Sequence, residues 1–231
     1  VTLHAGRSLP AEAYRTLRSS VFFADTEGNG TKELVVTSPG GRDGKSVTSC
    51  NLAIAFAQQG YKTLLIDGDL RRSTLHLTFD LKNGNGLTEY LRGDVPLDGL
   101  LRATKVPNLF VVPAGKNPPN PSELLGGPRF DALMERAREH FDAVVVDSPP
   151  VLAVTDAMVL ANKVDGVVLV IRSDQTHKQA AEDALEQLSL VGARVLGVVV
   201  NDTDGGGRYG YRYSYYYQYY GQDEPGKRKR R

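Results

Sequence analysis

The chain has 231 residues, of which 41% are hydrophobic and 24% are charged, and its 28 basic and 27 acidic side chains give a formal net charge of +1. This composition is that of a globular protein with enough apolar material for a core, and it excludes a wholly disordered chain and a uniformly basic nucleic-acid-binding protein. No apolar run approaches the roughly 20 residues that span a bilayer, and the single cysteine, Cys50, excludes a disulfide framework and predicts a reducing compartment.

The first 30 residues contain charged side chains at helical spacing. Glu12, Arg15 and Arg18 lie at positions i, i+3 and i+6 within Glu-Ala-Tyr-Arg-Thr-Leu-Arg. This spacing places them on one side of a helix, where an exposed, ion-paired face is the simplest interpretation. We treat residues 1–30 as an N-terminal helical segment that precedes the main domain.

Short apolar runs alternate with helical patterns from residue 31 to residue 206. Strands are predicted at 34–37, 62–66, 109–112, 143–146, 166–171 and 195–200. Helices are predicted at 45–59, 85–92, 128–139, 153–163 and 177–191. Continuous apolar runs separated by helices indicate strands that are buried on both faces of a mainly parallel sheet. We therefore predict a doubly wound α/β fold flanked by helices, with the functional site at the carboxyl ends of the strands.

A glycine-rich turn, Thr-Ser-Pro-Gly-Gly-Arg-Asp-Gly-Lys-Ser, follows the first predicted strand and opens a helix. Its backbone N–H groups can face an anion, Lys45 would reach the β- and γ-phosphates of a nucleotide, and the Ser46 hydroxyl would ligate Mg²⁺. The standard phosphate-loop pattern has glycine where this chain has Pro39, so an ordinary glycine-rich turn is the alternative. The predicted nucleotide-binding residues are Gly41, Arg42, Asp43, Gly44, Lys45, Ser46 and Val47.

Three aspartates follow two of the predicted strands. Asp67 and Asp69 come after the strand at 62–66, and Asp147 comes after the strand at 143–146. Magnesium bound to a triphosphate prefers a few carboxylates together with water and phosphate oxygens. Asp147 is therefore predicted to position the metal, and Asp67 or Asp69 to orient or deprotonate a nucleophile. A lone aspartate at such a place is as readily a solvated loop residue or a helix cap, but three beside a phosphate loop favour a nucleotide site.

Residues 207–231 differ in composition from the rest of the chain. They carry seven basic and two acidic side chains, a net charge of +5, which leaves −4 for residues 1–206. They include no Leu, Ile, Val or Met, so we predict a flexible, tyrosine-rich basic tail. A sticky aromatic linker or a segment that stacks on nucleic-acid bases is the alternative. Its eight tyrosines are Tyr209, Tyr211, Tyr213, Tyr215, Tyr216, Tyr217, Tyr219 and Tyr220.

Together these motifs resemble the bacterial tyrosine kinases (BY-kinases) that accompany capsule and exopolysaccharide synthesis, which are built on a P-loop ATPase fold. That family has hydrophobic residues followed by D-x-D-x-R, matched by residues 64–71, and hydrophobic residues followed by D-[ST]-P-P, matched by residues 144–150. It also has E-x-x-R-x-x-R near the start, a segment like residues 118–125, and a C-terminal tyrosine cluster. The resemblance covers nearly the whole chain.

The resemblance implies an ATP-dependent protein-tyrosine autokinase with Mg²⁺, which phosphorylates its tail tyrosines, mostly between subunits, and other proteins. It implies that Lys45, Asp67 and Asp69 are catalytic, and that Ser46, Asp67 and Asp147 hold the metal. Asn201 matches an asparagine that related ATPases use against the adenine, although a turn residue at the end of a strand is an equal alternative. Glu12, Arg15 and Arg18 would form a subunit interface in a ring.

The same resemblance implies partners and a location. We expect a ring-like homo-oligomer, a transmembrane adaptor that activates the kinase, a tyrosine phosphatase and protein substrates, and no nucleic acid. The activity would regulate polysaccharide synthesis and export from the cytoplasm, at the inner face of the membrane. The chain begins at Val1 rather than Met, which leaves open whether a membrane region is fused upstream or belongs to a separate protein.

One position of the phosphate loop departs from the family pattern, because Arg42 stands where the family commonly has glycine. A side chain there crowds the phosphates if φ is positive, or alternatively adds a cation to the triphosphate. Two other functions therefore stay open. One is a partner-regulated ATPase switch, against which Pro39 argues because such proteins usually carry lysine near the start of the loop. The other is a non-catalytic scaffold with a spoiled loop.

Overall fold

The computed structural model describes residues 8–24 and 33–202 of the chain. A single 3-10 turn at Leu97–Gly99 precedes the third strand. The helices and strands in chain order are α1 (Leu9–Phe23), β1 (Glu33–Thr37), α2 (Lys45–Gln58), β2 (Thr63–Asp67), α3 (Leu75–Thr78), α4 (Leu87–Arg92), β3 (Arg102–Ala103), β4 (Leu109–Val112), α5 (Pro121–Gly126), α6 (Pro128–His140), β5 (Ala143–Asp147), α7 (Asp156–Ala161), β6 (Gly166–Arg172), α8 (Lys178–Leu190) and β7 (Val195–Asn201).

The strands form one seven-stranded sheet in the order β3–β4–β2–β5–β1–β6–β7. All neighbouring strands are parallel except β3 and β4, which are antiparallel. The carboxyl ends of the parallel strands therefore meet at one edge of the sheet. Asp67 at the end of β2 lies directly beside Asp147 at the end of β5. The predicted α/β fold with a mainly parallel sheet is confirmed.

Helices cover both faces of the sheet. The apolar runs that predicted the strands are buried along their whole length in β2 and β5. One face packs against α1 and α2, where Leu52 and Phe56 are buried. The other face packs against α4 to α8, with Phe130 and Leu160 buried there. Because both faces are covered, these strands show continuous apolar sequence rather than alternation.

The sequence patterns predicted the long elements and missed the short ones. The elements β3, α3 and α5 were not predicted, because two, four and six residues are too few to show a period. The predicted helix at 153–163 is wrong at its start, since Ala153 closes a turn onto the Pro150 carbonyl (3.2 Å) and α7 begins at Asp156. The helix predicted at 85–92 begins at Leu87.

The ends of the chain are described only in part. The helix α1 packs against α2 through Leu17 and Val21, which join the same apolar cluster as the centre of α2. The predicted boundary at residue 207 and all eight tail tyrosines lie outside the described residues. Within residues 8–24 and 33–202, no helix is long and apolar enough to cross a bilayer.

Candidate functional site

The phosphate loop, residues 38–44, joins β1 to α2 at the carboxyl edge of the sheet. The buried carboxylate of Asp43 holds this loop together from inside. It accepts hydrogen bonds from the Gly40 N–H (3.0 Å) and from the Thr176 hydroxyl (3.0 Å). The side chain of Asp43 therefore stabilises the conformation of the loop. Because both of its oxygens are engaged, a contact between Asp43 and a nucleotide would be made by its backbone.

Asn201 fixes the same loop from the end of β7. Its side-chain amide donates to the carbonyl oxygen of Asp43 (3.0 Å). The sequence offered an adenine contact or a turn for this residue, and the structure adds a third role, because the amide ties the last parallel strand to the phosphate loop. This hydrogen bond does not test whether Asn201 contacts adenine, so the adenine contact stays a prediction.

Gly44 is the residue before α2, and it combines a left-handed backbone with a close approach. Its φ is +99°, and a Cβ built on it would lie 2.0 Å from Nδ2 of Asn201. Both features require glycine. Any other residue would be strained in this backbone conformation, and its Cβ would clash with the Asn201 amide. The glycine of Gly-Lys-Ser is thus dictated by the loop before any ligand binds.

We expect Gly44→Ala to lower the free energy of unfolding by about 2 kcal/mol, because alanine must adopt the left-handed region and displace the Asn201 amide. Thermal denaturation of the nucleotide-free protein measures this change. Gly41→Ala is the matched control, since nothing lies within 4 Å of a Cβ there. Equal melting temperatures for the two variants would refute this account of Gly44.

Arg42 has the left-handed backbone that the family pattern suggested for glycine, with φ of +71°. Such a conformation costs a non-glycine residue roughly 1–2 kcal/mol. Its side chain is exposed, so its Cβ does not displace the rest of the loop. The loop therefore forms with Arg42 in place, and no carboxylate among the described residues pairs with its guanidinium.

Lys45, the first residue of α2, forms an ion pair across the site. Its Nζ lies 3.0 Å from Oδ2 of Asp69 and 3.3 Å from the Ser46 hydroxyl. Burial alone would lower the pKa of Lys45, but the carboxylates of Asp147, Asp69 and Asp67 raise it above its ordinary value. Lys45 is thus held fully charged between the phosphate loop and the loop that follows β2.

Asp67 is buried with half of its carboxylate unsatisfied. Oδ2 accepts a hydrogen bond from the Leu75 N–H (3.2 Å), whereas Oδ1 has no partner among the described residues. Burial first, and then the negative charge of Asp147, raise the pKa of Asp67 to about 8. A buried carboxyl with an open oxygen is costly unless a cation or a donor completes it.

Asp147 is the second buried carboxylate at this edge. Burial raises its pKa, while the charge of Lys45 and hydrogen bonds from the Ser46 and Ser49 hydroxyls oppose that rise. The Ser49 Oγ lies 3.0 Å from Oδ1 of Asp147. Asp147 is therefore oriented by two hydroxyl groups of α2, on the side of the strand that faces the phosphate loop.

These groups fit a divalent cation that is shared with a phosphate. The open oxygen of Asp67, the carboxylate of Asp147 and the Ser46 hydroxyl are oxygen ligands of the kind that Mg²⁺ prefers. Among the described residues, no group of three or more His, Cys, Asp or Glu side chains could hold a metal ion without other ligands. Phosphate oxygens and water would have to complete the shell, as is usual for magnesium with a nucleotide.

Sequence reasoning missed two groups that support this site. Ser49 lies one turn beyond Lys45 on the same face of α2, and that spacing was a signal that could have been used. The other is Asp156 at the start of α7, which is fully buried and pairs with Arg71 through two bonds of 2.8 and 3.1 Å. Ser122 of α5 also donates to Asp156. No sequence spacing reveals this contact, because its members are far apart in the chain.

The charged motif of α1 is engaged within the chain. Arg15 pairs with Glu12, and Nη1 of Arg18 donates to the Ala55 carbonyl of α2 (2.9 Å). The ion-paired helix face is thus present, and Arg18 links α1 to the helix that carries Lys45. A role of these residues between subunits stays a prediction.

The arrangement is suited to phosphoryl transfer. A glycine-containing loop, a charged lysine and two buried carboxylates meet at the carboxyl edge of a parallel sheet, which is where such folds bind ligands. Catalysis of phosphoryl transfer depends on positioning and on neutralising charge, with little covalent chemistry by the protein. The described residues have the fixed loop and the cationic Lys45 that such a reaction requires.

Comparison with known proteins also points to a nucleotide-binding protein that transfers phosphoryl groups. Residues 34–210 match the CbiA family, described as the CobQ/CobB/MinD/ParA nucleotide binding domain. The chain is 40% identical over 195 residues to the putative tyrosine-protein kinase CapB of Staphylococcus aureus, covering 84% of this chain and 85% of that protein. It is 42% identical over 195 residues to the tyrosine-protein kinase YwqD of Bacillus subtilis, covering 84% and 82%.

A solved structure agrees with these relatives. The kinase domain of the Escherichia coli tyrosine kinase ETK superimposes with a TM-score of 0.84 at 35% identity, covering 87% of this chain and 79% of that one. This chain therefore belongs to the bacterial tyrosine-protein kinases, which use a nucleotide-binding domain of the CobQ/CobB/MinD/ParA type.

Proposed function

We propose that this chain transfers the γ-phosphoryl group of Mg²⁺-ATP to tyrosines of its own tail, mainly from one copy to another. The observation that carries the proposal is the buried carboxylate of Asp67, whose Oδ1 has no partner among the described residues. It lies beside Asp147 on the neighbouring strand, close enough to the Lys45–Asp69 ion pair to interact with both charges. An unpaired buried carboxylate lowers the stability of the fold, so a functional role explains Asp67 better than a structural one.

Each residue has a part in the proposed reaction. Backbone N–H groups of residues 41–47 and the ammonium of Lys45 bind the phosphates, and Asn201 contacts the adenine. Ser46, Asp67 and Asp147 hold Mg²⁺, and Asp69 keeps Lys45 in place through the ion pair of 3.0 Å. The metal supplies charge neutralisation for the phosphate oxygens.

The transfer itself exchanges one bond to phosphorus for another. The tyrosine oxygen forms a bond to the γ-phosphorus as the bond to the β-bridging oxygen breaks, which leaves ADP. A tyrosine hydroxyl has a pKa of about 10 and is a weak nucleophile until it loses its proton. The carboxylate of Asp67, assisted by the field of the metal, is the acceptor for that proton as the bond to phosphorus forms.

The tail tyrosines test the proposal directly. A full chain in which all eight are replaced by phenylalanine should lose almost all phosphotyrosine when incubated with Mg²⁺-ATP, because the acceptor hydroxyls are gone while the site is intact. Phosphotyrosine is quantified on the purified chain, and ATP binding is measured beside it to show that the nucleotide site still works. Unchanged phosphotyrosine in this variant would refute the assignment of the tail as acceptor.

We further propose the setting of the reaction. The chain would form a ring-like oligomer through Glu12, Arg15 and Arg18, and a transmembrane adaptor would activate it at the inner face of the cell membrane. A tyrosine phosphatase would reverse the modification, other proteins would be further substrates, and the cycle would regulate polysaccharide synthesis and export. These points rest on the family resemblance. A partner-regulated ATPase switch would instead bind ATP and form no phosphotyrosine.

A further inference from the structure

A groove opens beside the candidate active site, between the loop that follows β5 and the helix α8. Its volume is about 440 Å³, which is within the range of small ligand sites. It begins at Val151, four residues after Asp147, and the Val151 N–H donates to the Ser38 carbonyl of the phosphate loop (2.9 Å). The groove is lined by Val151, Leu152, Ala153, Val154, Thr155, Met158, Asp183, Glu186 and Gln187.

The groove has an apolar floor and an acidic rim. Val151, Leu152 and Met158 form the floor, and Leu152 remains 42% exposed. Asp183 and Glu186 of α8 are its charged lining residues, and neither forms an ion pair with a cation among the described residues. Asp183 accepts one hydrogen bond, from the Gln179 amide (2.8 Å). The surface is therefore suited to a ligand that combines flat apolar groups with positive charge.

Two other cavities have a different character. One lies at the opposite end of the strands and is lined by the basic side chains Lys62, Arg136 and His140 together with Asp98. The other mixes charges of both signs, with Asp131, Glu135, Arg138 and Lys163. Neither combines an acidic rim with a position next to the loop that carries Asp147.

We propose that this groove, the α7–α8 groove, binds the tyrosine-rich tail of a second copy of the chain and presents it for phosphorylation. The inference rests on the proposed function, in which the tail of one copy is the substrate of another. Residues 207–231 carry a net charge of +5 and eight tyrosines, with no Leu, Ile, Val or Met. Their arginines and lysines complement the acidic rim, and their aromatic rings fit the apolar floor.

The length of the tyrosine cluster lets it occupy the groove and the active site together. The twelve residues from Tyr209 to Tyr220 span up to about 40 Å when extended, because each residue adds about 3.3 Å. A few of them can lie in the groove while another reaches Asp67 and the phosphate loop. Sliding of the tail along the groove would then bring successive tyrosines to the same site.

The acidic rim also gives the groove a preference for the unmodified tail. Each phosphate adds a charge of about −1.5 to −2, so a few phosphates reverse the +5 of the tail. A phosphorylated tail is repelled by Asp183 and Glu186, which favours its release and entry of the next substrate.

The direct test is binding of a fluorescent synthetic peptide of residues 207–231 to the full chain, followed by anisotropy. The double variant Asp183→Lys/Glu186→Lys should raise the dissociation constant about tenfold, and the milder Asp183→Asn/Glu186→Gln about threefold, because rim charges contribute modestly each. Salt should weaken binding to the unmodified groove more than binding to the reversed one. Glu135→Lys/Glu139→Lys on α6 is the matched control, and it should leave the dissociation constant unchanged.

A second arm follows phosphoryl transfer between copies. The donor is the active chain with its eight tail tyrosines changed to phenylalanine, and the acceptor is a Lys45→Met chain with an intact tail. Charge reversal of the groove in the donor should raise the KM for the acceptor about tenfold, whereas reversal in the acceptor should have no effect. An effect only in the acceptor would overturn docking between copies.

The two arms separate the docking inference from the proposed function. Equal peptide affinity for the reversed and the unmodified groove overturns the inference, even if the donor phosphorylates the acceptor at full rate. Weakened peptide binding together with no transfer by any donor would keep the docking site and refute the kinase reaction. A peptide that binds equally well with its arginines and lysines replaced by glutamine would also overturn the inference.

Discussion

Replacing Lys45 with methionine is expected to lower the rate of tyrosine phosphorylation by at least about 100-fold, because a donor aimed at the charge of a transition state contributes that much or more. Methionine preserves the length and the apolar stem of the side chain but removes the ammonium. It also frees Asp69, whose Oδ2 lies 3.0 Å from Lys45 Nζ, and leaves three aspartates in one place without their cation. Both consequences act on the nucleotide site.

The measurement is the initial rate of phosphotyrosine formation with saturating Mg²⁺-ATP, and the control is Lys105→Met. Lys105 is 82% exposed and lies 3.7 Å from an exposed carboxylate, so its loss should leave the rate unchanged. A Lys45→Met chain that phosphorylates at the rate of the unmodified chain would contradict the assigned geometry of the phosphate loop. Circular dichroism of both variants checks that the fold is retained.

Replacing Asp67 with asparagine is expected to slow the phosphoryl-transfer step itself. Asparagine keeps the shape of the side chain but cannot take a proton from tyrosine, so we expect kcat to fall by about 100- to 10,000-fold. Steady-state kinetics with the acceptor tail in excess give kcat and KM separately. ATP binding, measured by titration, distinguishes loss of the base from loss of the nucleotide. A full kcat in this variant would exclude Asp67 as the proton acceptor.

The same substitution should change how stability depends on pH. In the nucleotide-free and metal-free protein, the pKa of Asp67 is raised to about 8, whereas an unfolded aspartate has a pKa of about 3.9. The folded chain therefore holds a proton that the unfolded chain has lost between about pH 4 and pH 8, so the free energy of unfolding falls as pH rises through that window.

Asparagine carries no such proton, and the variant should be the more stable form at pH 8 by about 2 kcal/mol. Chemical denaturation at pH 5 and pH 8 in the presence of a chelator provides the comparison. Asp80→Asn is the control, since Asp80 is 89% exposed and has the left-handed φ of +55° that asparagine also adopts. A stability profile of Asp67→Asn that is parallel to that of the unmodified chain would refute the unsatisfied state of this carboxyl.

The sequence was sufficient for those features that depend on neighbours in the chain. The apolar runs predicted the buried parallel strands, and strand ends placed Asp67 and Asp147 at one edge, where the structure makes them direct neighbours. Gly-Lys-Ser after a strand predicted the phosphate loop, because a loop and a helix N-terminus are local structures. The comparison with the family loop singled out Arg42 but left its backbone conformation open, and the structure shows it to be left-handed.

The remaining features depend on contacts between distant residues. The sequence named Asp43 and Asn201 as ligand contacts, but their mutual hydrogen bond joins residues that are 158 positions apart. Arg71 belongs to a motif, yet its buried partner Asp156 lies 85 positions away, at the start of α7. The open oxygen of Asp67 is likewise a property of packing, since only the three-dimensional structure shows which donors fail to reach it.

Phosphorylation of its own tail tyrosines is the reaction that we assign to this chain. It is tested by the intact mass of the purified full chain after incubation with Mg²⁺-ATP, with the modified residues located by peptide mapping. We expect successive gains of one phosphoryl group that map to the segment between Tyr209 and Tyr220. An unchanged mass in a chain that binds ATP, or phosphate found only outside that segment, would contradict it.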